Sequence, residues 1–304
     1  MSHFPVVVCI DDPSKLEAVL APFDENLEVD EYRAYEEGLP QDYWAVPTFR
    51  EQGNLNSDDT TLTWAQIAEV HNLRWSDDPP MRIDENGRAY CLSTDNPKGK
   101  WDYWRIGGRW GGFFTASSVG DPRLFRPERA WDSPDVLPKD SCDGGPKELL
   151  DLDGMRERAA SKARDEYEKW AKVVECTPEA RPWREFADMI GVIDGYTREQ
   201  AQLEYRTQPR MVALEGTDFA GMWDCPIAAY QKPERVFVEL ARANAVPGFA
   251  VVTVEGKWMA PGEMGWFGCS TDTESQRIGY LETANAYIDS LPDSTYLIAV
   301  DCHV

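Results

Sequence analysis

The sequence has no closely spaced pair of cysteines and no long apolar run. Its seven cysteines stand singly, at positions 9, 91, 142, 176, 225, 269 and 302, so no CxxC motif provides a zinc ribbon or a thioredoxin-type site. The odd number also argues against a complete disulfide framework. The longest apolar runs fall far short of the roughly 20 residues that a spanning helix needs, and no secretion leader is recognisable. These absences predict a cytoplasmic protein that does not bind membranes.

Positive charge is also scarce. Lysine and arginine number 31 against 54 aspartates and glutamates, which gives a net charge of −23. A field of this sign repels nucleic-acid phosphates and anionic lipids, so broad nucleic-acid binding is not expected. A local basic pocket for one nucleotide is still compatible with it, as is docking on a protein that itself binds nucleic acid. The alternative is that the charge serves solubility alone.

The chain nevertheless has ample material for a folded core. It has 304 residues, of which 42% are hydrophobic and twelve are tryptophan. This content of large apolar side chains excludes a disordered polyelectrolyte and predicts one large or two ordinary domains.

The hydrophobic pattern predicts an α+β fold. The runs FPVVVCI at 4–10, FAVVTV at 249–254 and YLIAVDC at 296–302 are typical of buried strands. One helical pattern follows the first strand and another precedes the last. Short connections and right-handed crossovers then favour an antiparallel, ferredoxin-like sheet of the split βαβ type. Its first and last strands are expected to be antiparallel neighbours.

Composition predicts three parts of the chain. Residues 1–114 and 246–304 are expected to form the α+β sheet domain, with an irregular, acidic covering layer from Asp24 to Asn96. Residues 115–145 are rich in proline, aspartate, serine and glycine and are expected to be a linker. Residues 146–245 carry apolar side chains at three- and four-residue steps and are expected to be a helical insert. Whether this insert is an independent domain does not follow from the sequence.

The predicted meeting of the first and last strands brings two of the three histidines together. His3 precedes the first strand, while Asp301 and His303 share one face of the last. These residue types are common acid–base groups and metal ligands, so all three are candidate catalytic residues, and Cys269 is a further nucleophile or ligand. No cofactor follows directly, but zinc at His3 and His303 is a candidate. The alternative is exposed terminal residues and core cysteines, since no HExxH or other recognised catalytic motif is present.

The segment KWDYWRIGGRWGGFF at 100–114 is the second candidate site. Gly107 and Gly108 separate two aromatic-rich stretches, which predicts a two-residue hairpin with positive φ at both glycines. Glycine lets a backbone approach a ligand, arginine grips phosphate or carboxylate, and tryptophan stacks on a base. The two glycines with Arg109, Trp104 and Trp110 are therefore candidate residues for a nucleotide-like ligand. The alternative is a hairpin whose aromatic side chains pack the core.

The segment GEMGWFGC at 262–269 is the third candidate site. It joins a predicted strand to a helix that begins near Thr273, and amide groups at a helix start can bind an anion. Trp266 is a candidate ligand-binding residue and Glu263 a candidate base. The alternative is a tight turn packed under Trp266. The acidic clusters elsewhere fit no EF-hand spacing and are expected to be solvated.

Five segments resemble a family of uncharacterised proteins found in bacteriophages and bacterial genomes. They are MSHF at 1–4, LAPFDENLEV at 20–29, KWDYWRIGGRW at 100–110, GEMGWFGC at 262–269 and the closing DCHV. The resemblance implies a phage or prophage setting without secretion, and hence the host-cell cytoplasm if a phage encodes the chain. It implies no particular activity.

Three functional hypotheses follow. The first is a non-catalytic phage accessory protein that binds a host protein or a nucleotide-like ligand, for example in counter-defence. The second is a hydrolase or transferase acting on a nucleotide-like substrate, with His3, Asp301 and His303 as its site and Arg109 holding an anion. The third is a virion structural or assembly protein, which an acidic chain with this much irregular sequence fits less well.

Overall fold

The computed structural model describes residues 2–56, 61–127, 137–221, 225–265 and 269–304, and it is a mixed α/β structure. Its strands are β1 His3–Ile10, β2 Tyr32–Tyr35, β3 Arg82–Ile83, β4 Ala89–Ser93, β5 Tyr103–Ile106, β6 Phe114–Thr115, β7 Ser141–Cys142, β8 Gly144–Pro146, β9 Ala250–Val252, β10 Trp258–Met259 and β11 Tyr296–His303. Its helices are α1 Leu16–Leu20, α2 Val46–Glu51, α3 Trp64–Arg74, α4 Leu152–Val174, α5 Trp183–Ala187, α6 Arg198–Arg206, α7 Pro209–Leu214, α8 Glu234–Ala243 and α9 Glu274–Ser290.

The largest sheet is built around the first and last strands. Strand β1 pairs antiparallel with β11 along its whole length, from His3 opposite His303 to Ile10 opposite Tyr296. On its other side β1 pairs in parallel with β9, which forms an antiparallel pair with β10. Strands β5 and β8 both pair with the far edge of β11. The predicted antiparallel pairing of the first and last strands is therefore confirmed.

The ferredoxin-like arrangement is not confirmed. A split βαβ unit has another strand between its two parallel strands. Here β1 and β9 are direct parallel neighbours, and β10 lies outside them at the sheet edge. The apolar runs predicted that these strands exist, since that signal is local. The order of the strands depends on pairing between distant segments, which the same runs leave open.

One face of this sheet is packed against α9. Val7 and Cys9 of β1 and Leu297 and Ala299 of β11 share this face by alternation and belong to one core cluster. Helix α9 adds buried apolar side chains to the same cluster, namely Tyr280, Leu281, Ala284 and Ile288. Asp301 lies further along β11 on this same face, so the sheet passes from an apolar core to a polar end.

The chain divides into two compact units, Met1–Val19 with Tyr103–Val304, and Leu20–Asp102. The predicted boundaries at 114, 146 and 246 do not appear in this division. Residues 20–102 are more than a covering layer of the sheet domain, because they have a three-stranded sheet of order β2–β4–β3 and a core of their own. That core includes Phe49 and Ile67, both fully buried.

The predicted linker and insert both belong to the larger unit. Within 115–145, Thr115 of β6 lies opposite Ser141 of β7, so the described part of this segment contains paired strands. Residues 128–136 of the predicted linker lie outside the described residues. The helical patterns of 146–245 are present as helices α4 to α8, and α6 begins at a capping box formed by Thr197 and Gln200. Among the described helices, none combines the length and apolar composition needed to cross a bilayer.

The smaller unit contains a buried histidine. His71 on α3 is 9% exposed, and its Nδ1 lies 3.0 Å from the hydroxyl of Tyr43. Its ring also contacts Trp75 edge-on, with a centroid distance of 4.9 Å. Burial lowers the pKa of His71 below its ordinary value of 6.5, and Glu36 and Asp78 offset part of this effect.

We expect this histidine to make stability depend on pH. As pH falls below about 6.5, the unfolded chain binds a proton at His71 before the folded chain does, so the free energy of unfolding decreases. Denaturant unfolding of the wild type and of His71→Gln between pH 8 and pH 5 measures this. As pH falls, the free energy of unfolding of the wild type is expected to decrease relative to that of His71→Gln. Parallel pH dependences of the two proteins would contradict this expectation.

Candidate functional site

The first and last strands place His3 beside a buried carboxylate. The side chain of Asp301 is 3% exposed, and its Oδ1 lies 2.9 Å from Nδ1 of His3, whose side chain is 21% exposed. An ionised carboxylate only accepts hydrogen bonds, so Nδ1 carries a proton and Nε2 is the ring nitrogen left for a ligand. The buried Asp301 thus orients an imidazole that solvent still reaches.

The second histidine of this end lies next to the first. His303 is directly opposite His3 in the β1–β11 pair, and the two rings meet edge to face at a centroid distance of 4.8 Å. On the other side of β11, Arg105 lies opposite Asp301 and Tyr103 opposite His303. Directly opposed residues share a face of a sheet. This end of the face therefore carries polar and ionisable side chains from three strands.

The second candidate segment reaches the same carboxylate. After β5 the chain turns into a short 3-10 helix over Gly108–Trp110, and the backbone N–H of Arg109 donates to Asp301 Oδ2 at 2.9 Å. Each oxygen of Asp301 therefore has a partner, His3 on one and Arg109 on the other. The structure joins two candidate sites that the sequence presented as separate. Arg109 itself is exposed, and Trp110 is half-buried.

The predicted glycine hairpin is wrong, although the predicted backbone conformation is right. Gly107 and Gly108 have φ of +67° and +57°, but β5 pairs with β11 and not with a strand that follows the glycines. The glycines are required here by close packing. A Cβ on Gly108 would overlap Asp301, lying 2.8 Å from its Cγ, and a Cβ on Gly107 would overlap the carboxylate of Asp143.

The backbone of this turn is engaged within the protein. Gly107 N–H donates to Ala299 O at 2.9 Å, and the N–H groups of Trp110 and Gly111 donate to carbonyls within the turn. Gly112 N–H donates to Asp143 Oδ1 at 2.6 Å. These amide groups, with that of Arg109, are hydrogen-bonded inside the molecule and do not form a phosphate cradle. Ligand contacts from this segment would have to come from side chains.

Asp143 is the residue of the site that the sequence did not indicate. It is 0% exposed and lies between β7 and β8 in a segment that was predicted to be a linker. Its backbone N–H donates to Phe125 O at 2.7 Å, and its carbonyl accepts from Ala299 N–H at 2.8 Å. An aspartate before two glycines is typical of any turn, so the composition offered no signal that this carboxylate is buried.

Other candidate residues lie elsewhere. Trp104 is opposite Cys302 in the β5–β11 pair, so it belongs to the sheet face opposite to that of Asp301. Cys269 is exposed, and within the described residues no hydrogen bond or ion pair joins it to the two histidines or to Asp301. Trp266 falls in 266–268, outside the described residues. Glu263 is exposed.

The buried cysteines have the character of core residues. Burial raises the pKa of the Cys9 thiol to about 12, with a smaller contribution from Glu255. Burial also raises the pKa of Cys302, and Asp301 adds to this shift. Both thiols therefore stay protonated at neutral pH and are poor nucleophiles.

A metal at this site is not supported by the ligand geometry. In the part of the chain that the structure describes, no group of three or more histidine, cysteine, aspartate and glutamate side chains is placed to hold a metal ion. Zinc sites in proteins have at least three protein ligands. Zinc at His3 and His303 stays a prediction.

The chain matches no protein-family model, no curated protein and no solved structure. The resemblance to phage proteins stays a prediction.

Proposed function

We propose that the protein binds a small anionic, nucleotide-like ligand at the group formed by His3, Asp301, His303 and Arg109, called here the His–Asp–Arg group. The observation that carries this proposal is the double role of the Asp301 carboxylate. It holds His3 Nδ1 and the Arg109 backbone N–H, each at 2.9 Å. The side chain of a histidine and the backbone of an arginine are thereby held by one buried carboxylate of the sheet.

The charge of the site supports an anion as the ligand. The whole chain carries a net charge of −23, yet His3 and His303 lie together beside Asp301, and Asp301 also holds the backbone of Arg109, whose side chain is exposed. Arg105 adds a further cationic side chain on the neighbouring strand. Such a local concentration of donors in an acidic protein selects for a bound anion over diffuse contacts to a polyanion.

The phosphate of a nucleotide fits the donor types of the group. A guanidinium binds phosphate oxygens through two parallel hydrogen bonds, and His3 Nε2 offers a further polar contact. Trp110 follows Arg109 in the 3-10 helix, and an indole ring can stack on a base. Side chains would supply all these contacts, since the neighbouring amide groups are hydrogen-bonded within the protein.

We expect Arg109→Ala to weaken binding of adenosine monophosphate by about 10- to 100-fold, the value of a charged hydrogen bond. The substitution leaves the Arg109 backbone N–H and hence its bond to Asp301. Isothermal titration calorimetry with adenosine monophosphate, inorganic phosphate and adenosine separates the contributions of phosphate and base.

The matched control is Arg198→Ala, which removes an exposed arginine from the first turn of α6. It is expected to bind all three probes like the wild type. The proposal fails if the wild type binds neither adenosine monophosphate nor phosphate, or if the two variants weaken binding equally, since the effect would then be one of net charge.

A hydrolase or transferase acting on a nucleotide-like substrate is the second candidate. It is favoured by the pairing of His3 with a buried carboxylate, the arrangement by which enzymes orient a general base. In this role Asp301 orients the ring and His3 Nε2 moves the proton.

Turnover separates the two candidates. An enzyme converts the nucleotide to product, and His3→Gln lowers the rate by about 100-fold or more while the nucleotide still binds. A binding protein releases the nucleotide unchanged. Product analysis by chromatography after prolonged incubation distinguishes these results.

The proposal extends to a host-protein partner and a counter-defence role. The support for them is the resemblance to phage proteins and the acidic composition. Affinity capture from a bacterial lysate, with an Arg109→Ala bait as comparison, tests whether a partner uses the His–Asp–Arg group.

A further inference from the structure

A second buried carboxylate holds the other end of the turn that carries Arg109. Asp301 binds the N–H of Arg109 near the start of this turn, and Asp143 binds the N–H of Gly112 at its end, at 2.6 Å. Both carboxylates are almost completely buried, with Asp143 at 0% and Asp301 at 3% exposed. Residues 109–112 thus run between two fixed acceptors, and the first of them holds the backbone of Arg109 itself.

The two carboxylates are linked through the last strand. Asp143 accepts the backbone N–H of Ala299 with its carbonyl at 2.8 Å, and Ala299 in turn accepts the N–H of Gly107 at 2.9 Å. Asp301 is two residues further along β11, on the same face as Ala299. Displacement of Asp143 would therefore affect the strand and the turn together.

The turn also fits closely against both side chains. Gly107 lies so close to Asp143 that a Cβ there would be 2.5 Å from the Asp143 Cγ. Gly108 lies similarly close to Asp301. Two consecutive glycines with positive φ are thus matched to two buried carboxylates, one each.

We infer that Asp143 is a positioning residue of the binding site, one that fixes the turn so that Arg109 faces the ligand. This inference rests on the proposed function, because the role of Asp143 is to position a ligand-binding residue. The hydrogen bond from Gly112 N–H to Asp143 is present in the ligand-free protein. Residues that orient metal ligands change metal affinity by about 10- to 100-fold when they are replaced, and we expect an effect at the lower end of this range for Asp143.

Two variants test the positioning role of Asp143. Asp143→Ala removes the acceptor of Gly112 N–H, and Asp143→Asn keeps an acceptor of the same shape without the charge. Asp140→Ala is the control, since Asp140 is half-buried nearby and its side chain makes no hydrogen bond within the described residues. Backbone amide spectra of the ligand-free proteins report on Gly112 and Arg109, and calorimetry reports on affinity for adenosine monophosphate.

The expected result is graded. In Asp143→Ala the amide proton of Gly112 moves upfield, the signals of Arg109 shift, and affinity falls about tenfold. Asp143→Asn recovers most of the affinity, while Asp140→Ala matches the wild type. If the alanine variant does not fold, the asparagine variant still carries the test, with an upfield Gly112 signal and an affinity about threefold below that of the wild type.

The inference is overturned if a folded Asp143 variant shifts the Gly112 signal but leaves the Arg109 signals and the affinity unchanged. Asp143 would then stabilise only the end of the turn at Gly112. Failure of the wild type to bind the nucleotide is a different result. It removes the proposed function, whereas a concerted shift of the Gly112 and Arg109 signals in the ligand-free variants would still support the coupling between Asp143 and the turn.

Discussion

Replacement of Asp301 by alanine is expected to lower the free energy of unfolding by about 2–4 kcal/mol and to abolish nucleotide binding. The carboxylate accepts from His3 Nδ1 and from the Arg109 N–H, and it is 3% exposed. Its removal leaves a part-buried N–H without an acceptor and an imidazole without its orienting partner. The substitution separates both halves of the His–Asp–Arg group at once.

Denaturant unfolding measures the stability change, and Asp293→Ala is the matched control. Asp293 is an exposed aspartate just before β11 whose backbone carbonyl accepts from Glu148 N–H, a bond that alanine retains. The control is expected to stay within about 0.5 kcal/mol of the wild type. Equal stability of the Asp301 and Asp293 variants would show that the buried hydrogen bonds of Asp301 contribute little.

Gly108→Ala is expected to cost about 2–5 kcal/mol of stability. Two effects add at this position. A residue with φ of +57° is unfavourable for alanine by roughly 1–2 kcal/mol, and the new methyl group would also overlap the Asp301 side chain, at a further cost of about 1–3 kcal/mol. The overlap would also displace the turn, so ligand binding is expected to be lost with stability.

Gly256→Ala separates these two effects. Gly256 has φ of +72°, and a Cβ there would meet no atom within 4 Å. This variant therefore carries the backbone penalty without the overlap, and we expect it to cost about 1 kcal/mol. Thermal or denaturant unfolding of both variants gives the comparison. Equal losses of stability in Gly108→Ala and Gly256→Ala would mean that the turn at Gly108 moves away from Asp301 without a cost in free energy.

The strands that form the site could be predicted from the sequence, because their signal is local. Unbroken apolar runs predicted β1 and β11, and the preference for short connections predicted that they are antiparallel neighbours. Alternation then placed Asp301 and His303 on one face, and His3 was expected beside them. The register of β1 and β11 confirms that the three residues meet.

The link between this end and the glycine-rich turn could not be predicted. It depends on β5 pairing with β11, across almost 200 positions of sequence between Arg109 and Asp301. The local pattern of two glycines between aromatic stretches favoured a hairpin instead. Positive φ was correctly predicted at Gly107 and Gly108, but its reason, close contact with two carboxylates, arises only in the folded chain.

The burial of Asp143 could not be predicted from the sequence either. The composition of 115–145 is that of a loop, and a loop aspartate is ordinarily solvated. Here it is 0% exposed, because its backbone is hydrogen-bonded to Phe125 and Ala299. Such burial is a product of tertiary pairing, to which composition is blind.

The most direct test of the proposed site is an NMR titration of the histidine imidazoles with adenosine monophosphate. The chain has only three histidines, and His71 is buried in the unit of residues 20–102, where it serves as an internal reference. The proposal predicts that the His3 and His303 signals shift together and saturate while His71 stays unchanged. Unchanged His3 and His303 signals at millimolar nucleotide, or equal shifts of all three rings, would contradict it.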